Sequence, residues 1–306
     1  MMTITAASLG ATLYMPCTRD DAIERLHGVG RIKGLRSAVL CLEDSILERE
    51  IPLALRNLGS TLRGLPPREA DLGGPRTFVR PRDLGMMDRI LHMPGIERID
   101  GFVIPKAHAD NMPGFLSLPL HDHHRLMPTL ETREALDPFE MRRLRDQLLG
   151  VQDRILALRI GGNDLLNAMG LRRPAGRTAY ESPLGPVIGS LVATFLPWGF
   201  AMSAPVFERF FDVALLREEV ARDIEHGLVT KSAIHPDQIA VIQGAFAVPH
   251  QEVEEARQIL EPDGPAVFAR GGVMCEPATH RAWAERLLSR ASAFGVAEPM
   301  PLPLRA

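Results

Sequence analysis

The chain has 306 residues, 45% of them apolar and 24% charged, with 26 glycines and 25 prolines. This composition excludes disordered, collagen-like and coiled-coil chains, and leaves either two domains of about 150 residues or one α/β barrel of about 250 with an extension. The 35 basic residues are outnumbered by 38 acidic ones, no dense basic block occurs and only 5% of residues are aromatic, so neither nucleic acid nor an anionic membrane is an expected partner.

Taken in chain order, apolar runs that end in polar or turn residues fall at 9–16 (LGATLYMP), 37–44 (SAVLCLED), 76–82 (RTFVRPR), 101–106 (GFVIPK), 124–131 (HRLMPTLE), 155–164 (ILALRIGGND), 198–205 (WGFAMSAP) and 229–236 (VTKSAIHP). Helical spacing of apolar residues separates several of them, at Arg19–Val29, Ile46–Leu62, Pro138–Arg154 and Phe207–His226. Near-continuous apolar strands alternating with helices imply parallel strands covered on both faces. Eight such units predict a (β/α)8 TIM barrel over 1–248, with 249–306 as a C-terminal helical extension. An open doubly wound sheet is the competing fold, but it calls for a glycine-rich phosphate loop after an early strand. Neither G-x-G-x-x-G nor a P-loop is present. The stretch 182–207 carries no charge, yet Pro183, Gly185, Pro186, Gly189, Pro197 and Gly199 interrupt it. It therefore reads as a buried helix and a buried strand, and no membrane span is expected. The three distant cysteines, Cys17, Cys41 and Cys275, and an N-terminus without a charged signal-peptide region suggest a cytoplasmic location. Cys41 reads as a buried small hydrophobe.

Barrel enzymes build their sites at the C-terminal ends of the strands. The polar residues there are Glu43 and Asp44, Arg80 and Arg82, Lys106, Glu131, Asn163 and Asp164, and Lys231 with His235. Glu131 and Asp164 on neighbouring strands suit Mg2+, with Mn2+ as a substitute, because a hard divalent cation takes a few carboxylates and leaves its other positions to water and substrate. Their competing role is helix N-capping. Arg80 is placed to clamp a substrate carboxylate or stabilise an enolate. Only Lys33, Lys106 and Lys231 accompany 32 arginines, and two of these lysines are predicted at the rim, where a Schiff base is the metal-free alternative. The HDHH run with His121, His123 and His124 falls at the start of the fifth strand, the end opposite the site, so a packing or solvated role is expected.

These strand ends resemble the citrate lyase beta-subunit and hydroxy-acid aldolase superfamily. LYMPCTRDD looks like its first strand and turn, CLEDSI like its D-L-E-D motif, FVRPR like its R-x-N strand, GFVIPKA like its P-K strand, PTLET like its E-T or E-S, GGNDL like its G-x-E/D-D, and SAIHPDQI like its A-I-H-P-x-Q-I. The resemblance implies a barrel forming a homotrimer or hexamer, with Mg2+ on Glu131 and Asp164 and substrate carboxylate on Arg80. The implied chemistry makes or breaks carbon-carbon bonds of small 3-hydroxy acids or their CoA thioesters through a metal-stabilised enolate. Glu43, Asp44 and Lys106 are the supporting rim residues, and His235 is a candidate substrate contact. Two departures stand out: Cys41 replaces the first Asp of D-L-E-D, and Arg82 replaces the Asn of R-x-N. The added guanidinium suits a more anionic substrate. GGVMCEP resembles the family's G-K-M-x-D-x-P, with Glu276 in place of an Asp that in malyl-CoA lyases reaches a neighbouring subunit as an acid or base. The wording of R-P-R, F-V-I-P-K and G-G-N-D resembles a branch encoded with tellurite-resistance and stress operons. Thioester hydrolysis at the same site, or a non-catalytic metabolite-binding subunit, are the alternatives carried forward.

Overall fold

The computed structural model describes residues 4–68 and 73–297. Eight parallel strands, β1 (Ala11–Pro16), β2 (Ser37–Cys41), β3 (Arg76–Arg80), β4 (Gly101–Ile104), β5 (Arg125–Leu130), β6 (Leu158–Ile160), β7 (Met202–Ala204) and β8 (Thr230–Ala233), close into a barrel in sequential order, β8 pairing with β1. All eight lie within the predicted runs. Helices α1 (Ala22–His27), α2 (Ile51–Gly64), α3 (Leu84–Leu91), α4 (Met112–Leu116) and α5 (Pro138–Leu149) follow β1 to β5 in turn, α6 (Gly162–Ala168) and α7 (Leu184–Phe195) both lie between β6 and β7, α8 (Val213–Glu225) follows β7, and α9 (Asp237–Ala245) follows β8.

Strand alternation decides what faces inward. Val39, Phe78, Val103, Met127 and Ala157 fill the lower barrel together with Ala6 and Leu9 from the N-terminal segment. One layer higher, the register sets Cys41 beside Arg80, so the interior turns polar toward the C-terminal end. The alternate positions, Leu40, Val79, Phe102, Leu126 and Leu158 among them, are also buried. Both faces being covered is why the strands read as continuous apolar runs rather than alternating ones. Gly101 enters β4 at φ +149°, where a Cβ would lie 1.8 Å from the Arg125 carbonyl oxygen, so only glycine lets β4 and β5 approach.

Helix starts follow local capping chemistry. Asp83, Asp137 and Asp212 accept hydrogen bonds from the amides of Met86, Phe139 and Leu215 at 2.7, 2.8 and 3.1 Å, and Pro138 occupies the first turn of α5, where no amide is needed. The observed helices are shorter than the predicted ones, and at α8 the cap Asp212 sets the later start. Pro138–Arg154 ends at Leu149, Arg19–Val29 narrows to α1, Ile46–Leu62 starts only at Ile51, and Phe207–His226 starts only after Asp212. The uncharged stretch forms α7 and β7; among the described residues no helix is long and apolar enough to cross a membrane.

One predicted rim residue sits elsewhere. Lys231 is not at the rim, because its position in β8 turns it outward against α8, where Nζ donates to Glu219 and Asp223 at 2.9 Å each and the side chain is fully buried. The histidines of HDHH lie at the N-terminal end of β5, as expected, with His121 stacked on His123 and the His123 and His124 rings edge-to-face, their centroids 4.6 Å apart. His124 is fully buried, with Nε2 3.2 Å from the Ile96 carbonyl and its ring edge-on to Phe102. Burial, reinforced by the charge of His123, pushes its pKa down to about 3. Such a base stays neutral in the folded chain while the unfolded chain protonates it near pH 6.5, so its contribution is intact above that pH and is lost as pH falls toward 3. His124→Gln is therefore expected to flatten the acid-side decline of the urea midpoint between pH 6.5 and 4 by up to about 1.4 kcal/mol per pH unit. An unchanged slope would show that His124 is protonated in place.

The chain divides into two compact units, Met1–Ile242 and Gln243–Ala306, a few residues before the expected boundary at 248/249 and within α9. Considered by itself, the second unit contains β9 (Val248–Pro249), α10 (His250–Ile259), a hairpin of β10 (Phe268–Arg270) and β11 (Val273–Cys275), α11 (Pro277–Phe294) and β12 (Val296–Ala297), which pairs in parallel with β9. Val253, Ala256, Ile259, Cys275, Ala284 and Leu287 form its own core. The expected C-terminal helical extension thus consists of α10 and α11, with the β10–β11 hairpin between them.

Candidate active site

The C-terminal ends of the strands surround a cavity of about 650 Å³. Asp44, Arg80, Glu131, Asn163, Asp164 and Asn167 line its upper wall, and Tyr14, Thr129, Arg159 and Ser232 line it deeper in the barrel. Arg80, the inward-facing last residue of β3, organises the wall. Its Nη2 donates to Glu131 Oε1 at 2.8 Å and Oε2 at 3.0 Å, and lies 2.9 Å from Glu43 Oε2. Burial opposes its charge, but Glu131 in particular raises its pKa, so it stays a cation.

Glu131 leaves β5 only 4% exposed. Its Oε1 also accepts the backbone amide of Lys106 at 2.7 Å. Lys106 is the one non-glycine residue with positive φ among the described residues, at 51°, and this left-handed turn accompanies the amide bond to the carboxylate. Backbone strain of this kind persists where surrounding contacts over-determine it. The Lys106 ammonium bonds Glu43 and lies 3.3 Å from Asp44. Gly161, the first glycine of GGND, completes the cradle: a Cβ there would lie 2.4 Å from Glu131 Cβ and 2.6 Å from Oε2. Gly162 is equally constrained, since its Cβ would meet Leu184 and Pro205 at 2.9 Å.

The carboxylates here outnumber the cations facing them. Burial, with Asp164 adding repulsion, pushes the Glu131 carboxyl up to about 7 despite Arg80. Asp164 is raised by burial and then by Asp44. It forms no ion pair among the described residues. Glu43 is raised by burial and by its hydrogen bond with Asp44, whereas Asp44 is lowered: burial pushes it up, but that hydrogen bond and the charges of Lys106 and Arg80 prevail. The two neighbouring carboxyls are thus shifted in opposite directions. No cluster of three or more His, Cys, Asp or Glu side chains arranged to hold a metal occurs among the described residues. Glu131 and Asp164 form a two-carboxylate set, the donor number Mg2+ takes when water and substrate complete its shell.

Glu43, Asp44, Arg80, Lys106 and Glu131 therefore form one bonded cluster, with Asp164 electrostatically coupled to it. Arg82 and His235 do not join them. Beyond Pro81 the chain has left the strand, and the Arg82 guanidinium pairs with Glu48 Oε2 at 3.1 Å and bonds the Ile46 carbonyl, outside the cavity lining. His235 stacks on Phe210 at 5.0 Å, also outside the lining. Glu276 belongs to the second unit, at the start of α11, where its carboxylate accepts from Thr279 at 3.3 Å. Arg159, Tyr14, Thr129 and Ser232 were not anticipated. The signal for Arg159 was a single charge inside the apolar run ILALRI.

The family model described as "C-C_Bond_Lyase of the TIM-Barrel fold" matches residues 3–296. The chain belongs to this family. It is 26% identical over 295 residues to a (3S)-malyl-CoA thioesterase of Cereibacter sphaeroides, covering 93% of this chain and 95% of that protein. A citrate lyase subunit beta-like protein of Mycobacterium tuberculosis is 23% identical over 262 residues, covering 85% of this chain and 86% of the relative. Among solved structures, CitE from Mycobacterium tuberculosis in complex with magnesium, acetoacetate and coenzyme A aligns with a TM-score of 0.70 at 24% identity, over 94% of this chain and 99% of that one. At that identity the structural likeness concerns the fold. It agrees with the closed eight-stranded barrel.

Proposed function

We propose that this family member is a Mg2+-dependent carbon-carbon lyase acting on a small 3-hydroxy acid or its CoA thioester. The observation that carries the reading is the buried Glu131 carboxylate, held by Arg80 and the Lys106 amide, with the unpaired Asp164 lining the same cavity. Glu131 and Asp164 would hold the cation, which when bound supplies positive charge for a developing enolate oxygen. Magnesium in the Mycobacterium tuberculosis neighbour supports that assignment. Arg80 orients the substrate carboxylate from the cavity wall, and its carboxylate partners fix its position. Glu43, whose pKa is raised by burial and by Asp44, stands beside Asp44 at the rim as the candidate proton carrier. In the cleavage, the hydroxyl proton passes to a base, the C–C electron pair moves to the carbon that becomes the enolate, and that carbon is then reprotonated; Asp44, which lines the cavity next to Glu43, is the group assigned to this proton traffic. A role for Glu276 in a neighbouring subunit, a homotrimer or hexamer and a cytoplasmic location rest on sequence and resemblance alone.

Thioester hydrolysis at the same residues is the second reading, favoured by the likeness to the malyl-CoA thioesterase. Incubation with malyl-CoA and Mg2+ separates them. Cleavage between carbons yields acetyl-CoA and glyoxylate, trapped as its phenylhydrazone, with no free thiol. Hydrolysis yields malate and free CoA, detected by a thiol reagent. Release of glyoxylate is the expected result; neither product from malyl-CoA or from a panel of hydroxy acids would favour a binding subunit instead.

A further inference from the structure

Among the described residues, the buried cations of this barrel are matched by acids with one exception. Arg80 faces Glu43 and Glu131, Arg173 faces Glu208 and Glu219, and Lys231 faces Glu219 and Asp223. Arg159 is 1% exposed and forms no ion pair among the described residues. Its Nη2 donates to Ser232 Oγ at 2.9 Å, its Nη1 reaches only the Met127 thioether at 3.5 Å, its guanidinium lies 5.4 Å from the Tyr14 ring centre, and Nε has no partner. Of the five N–H donors a guanidinium carries, most are thus unused. A buried charge without a counter-charge is costly.

The surroundings explain where the counter-charge would come from. Small residues, Ala157 one step below and Gly161 one step above on the inward face of β6, leave room for the side chain inside the barrel. Arg159 lines the same cavity as Glu131 and Asp164. Ser232 shares its depth, as does Thr129, whose buried hydroxyl also lacks a partner. We propose that Arg159, with Ser232 and Thr129, forms a carboxylate subsite deep in the cavity, so that the substrate acid carries a second carboxylate beyond the one at Arg80. Arg159 would be a specificity-determining residue, selecting diacids over monoacids by charge-assisted hydrogen bonds that a monoacid leaves unmade. The substrate class rests on the reading given under Proposed function. The anion subsite itself does not require the metal.

Calorimetric titration of the parent, Arg159→Met and Arg159→Lys with acetate, succinate and glutarate in EDTA, and with pyruvate and 2-oxoglutarate in Mg2+, tests the proposal. The parent should bind at least one diacid about 10- to 100-fold more tightly than the matching monoacid, the range set by a charged hydrogen-bonded pair. Arg159→Met should lose that preference, and Arg159→Lys should keep part of it. Methionine removes an uncompensated buried charge, so this variant should melt no lower than the parent. No diacid preference in the parent, or the same preference in Arg159→Met, would overturn the proposal. Failure of the metal reading shows differently, as pyruvate binding that is indifferent to Mg2+ and to Asp164→Asn whatever Arg159 does.

Discussion

Glu131→Gln and Asp164→Asn are each expected to abolish the thermal stabilisation that Mg2+ gives the parent chain and to lower turnover by about 10²–10³-fold, the loss typical when one group that stabilises transition-state charge is removed. The argument is electrostatic. Around Arg80 and Lys106 stand four carboxyl groups, Glu43, Asp44, Glu131 and Asp164, and burial already pushes the Glu131 carboxyl up to about 7. A divalent cation relieves that crowding, and a ligand that binds only the folded state adds about 2.7 kcal/mol at a hundredfold excess over its Kd. Glutamine can still accept from Arg80 and the Lys106 amide, so the fold should survive while the charge is lost. Melting curves with and without Mg2+ for the parent and both variants measure this directly. Should both variants respond to Mg2+ as the parent does, the assignment of these two residues is wrong.

Lys231→Met is expected to produce the largest stability loss in the barrel, about 3–5 kcal/mol, the cost of removing one partner from a buried ion cluster. Lys231, Glu219 and Asp223 are all fully buried. Arg173 at 2.7 Å and the Ala179 amide would still serve Glu219, but Asp223 would keep only the Tyr180 hydroxyl at 2.6 Å. Burial raises the Asp223 carboxyl, and Lys231 is the main influence holding it down. Adding Asp223→Leu should recover most of the loss, because the uncompensated charge then disappears. Urea unfolding of the single and double variants is the measurement. A single-variant loss below about 1 kcal/mol would mean that water reaches the cluster and replaces the lysine.

The barrel was legible because its cause is local and repeated. Eight apolar runs between helical stretches can bury both faces only as a covered parallel sheet, and the sequential order of β1 to β8 follows from short connections. Helix ends were less legible where an aspartate cap, rather than the edge of an apolar pattern, set the start, as at Asp83 and Asp212. The candidate site was partly legible. Strand-end position drew attention to Glu43, Asp44, Arg80, Lys106, Glu131 and Asp164, and folding gathers these around one cavity.

What escaped the sequence was direction. Arg82, Arg159 and Lys231 are all cations in or just beyond strands, and composition treats them alike. Two-residue alternation sends Lys231 outward to the acids of α8 and Arg159 inward to a layer without acids, while the turn at Pro81 carries Arg82 off to Glu48. By itself, then, the sequence determined the barrel, its order and the strand ends where carboxylates collect, since these follow from hydrophobic period and chain connectivity. Only the tertiary structure decided which charges meet. A strand's phase relative to its neighbours is settled by closing the barrel, and that phase selects the partner each buried charge receives.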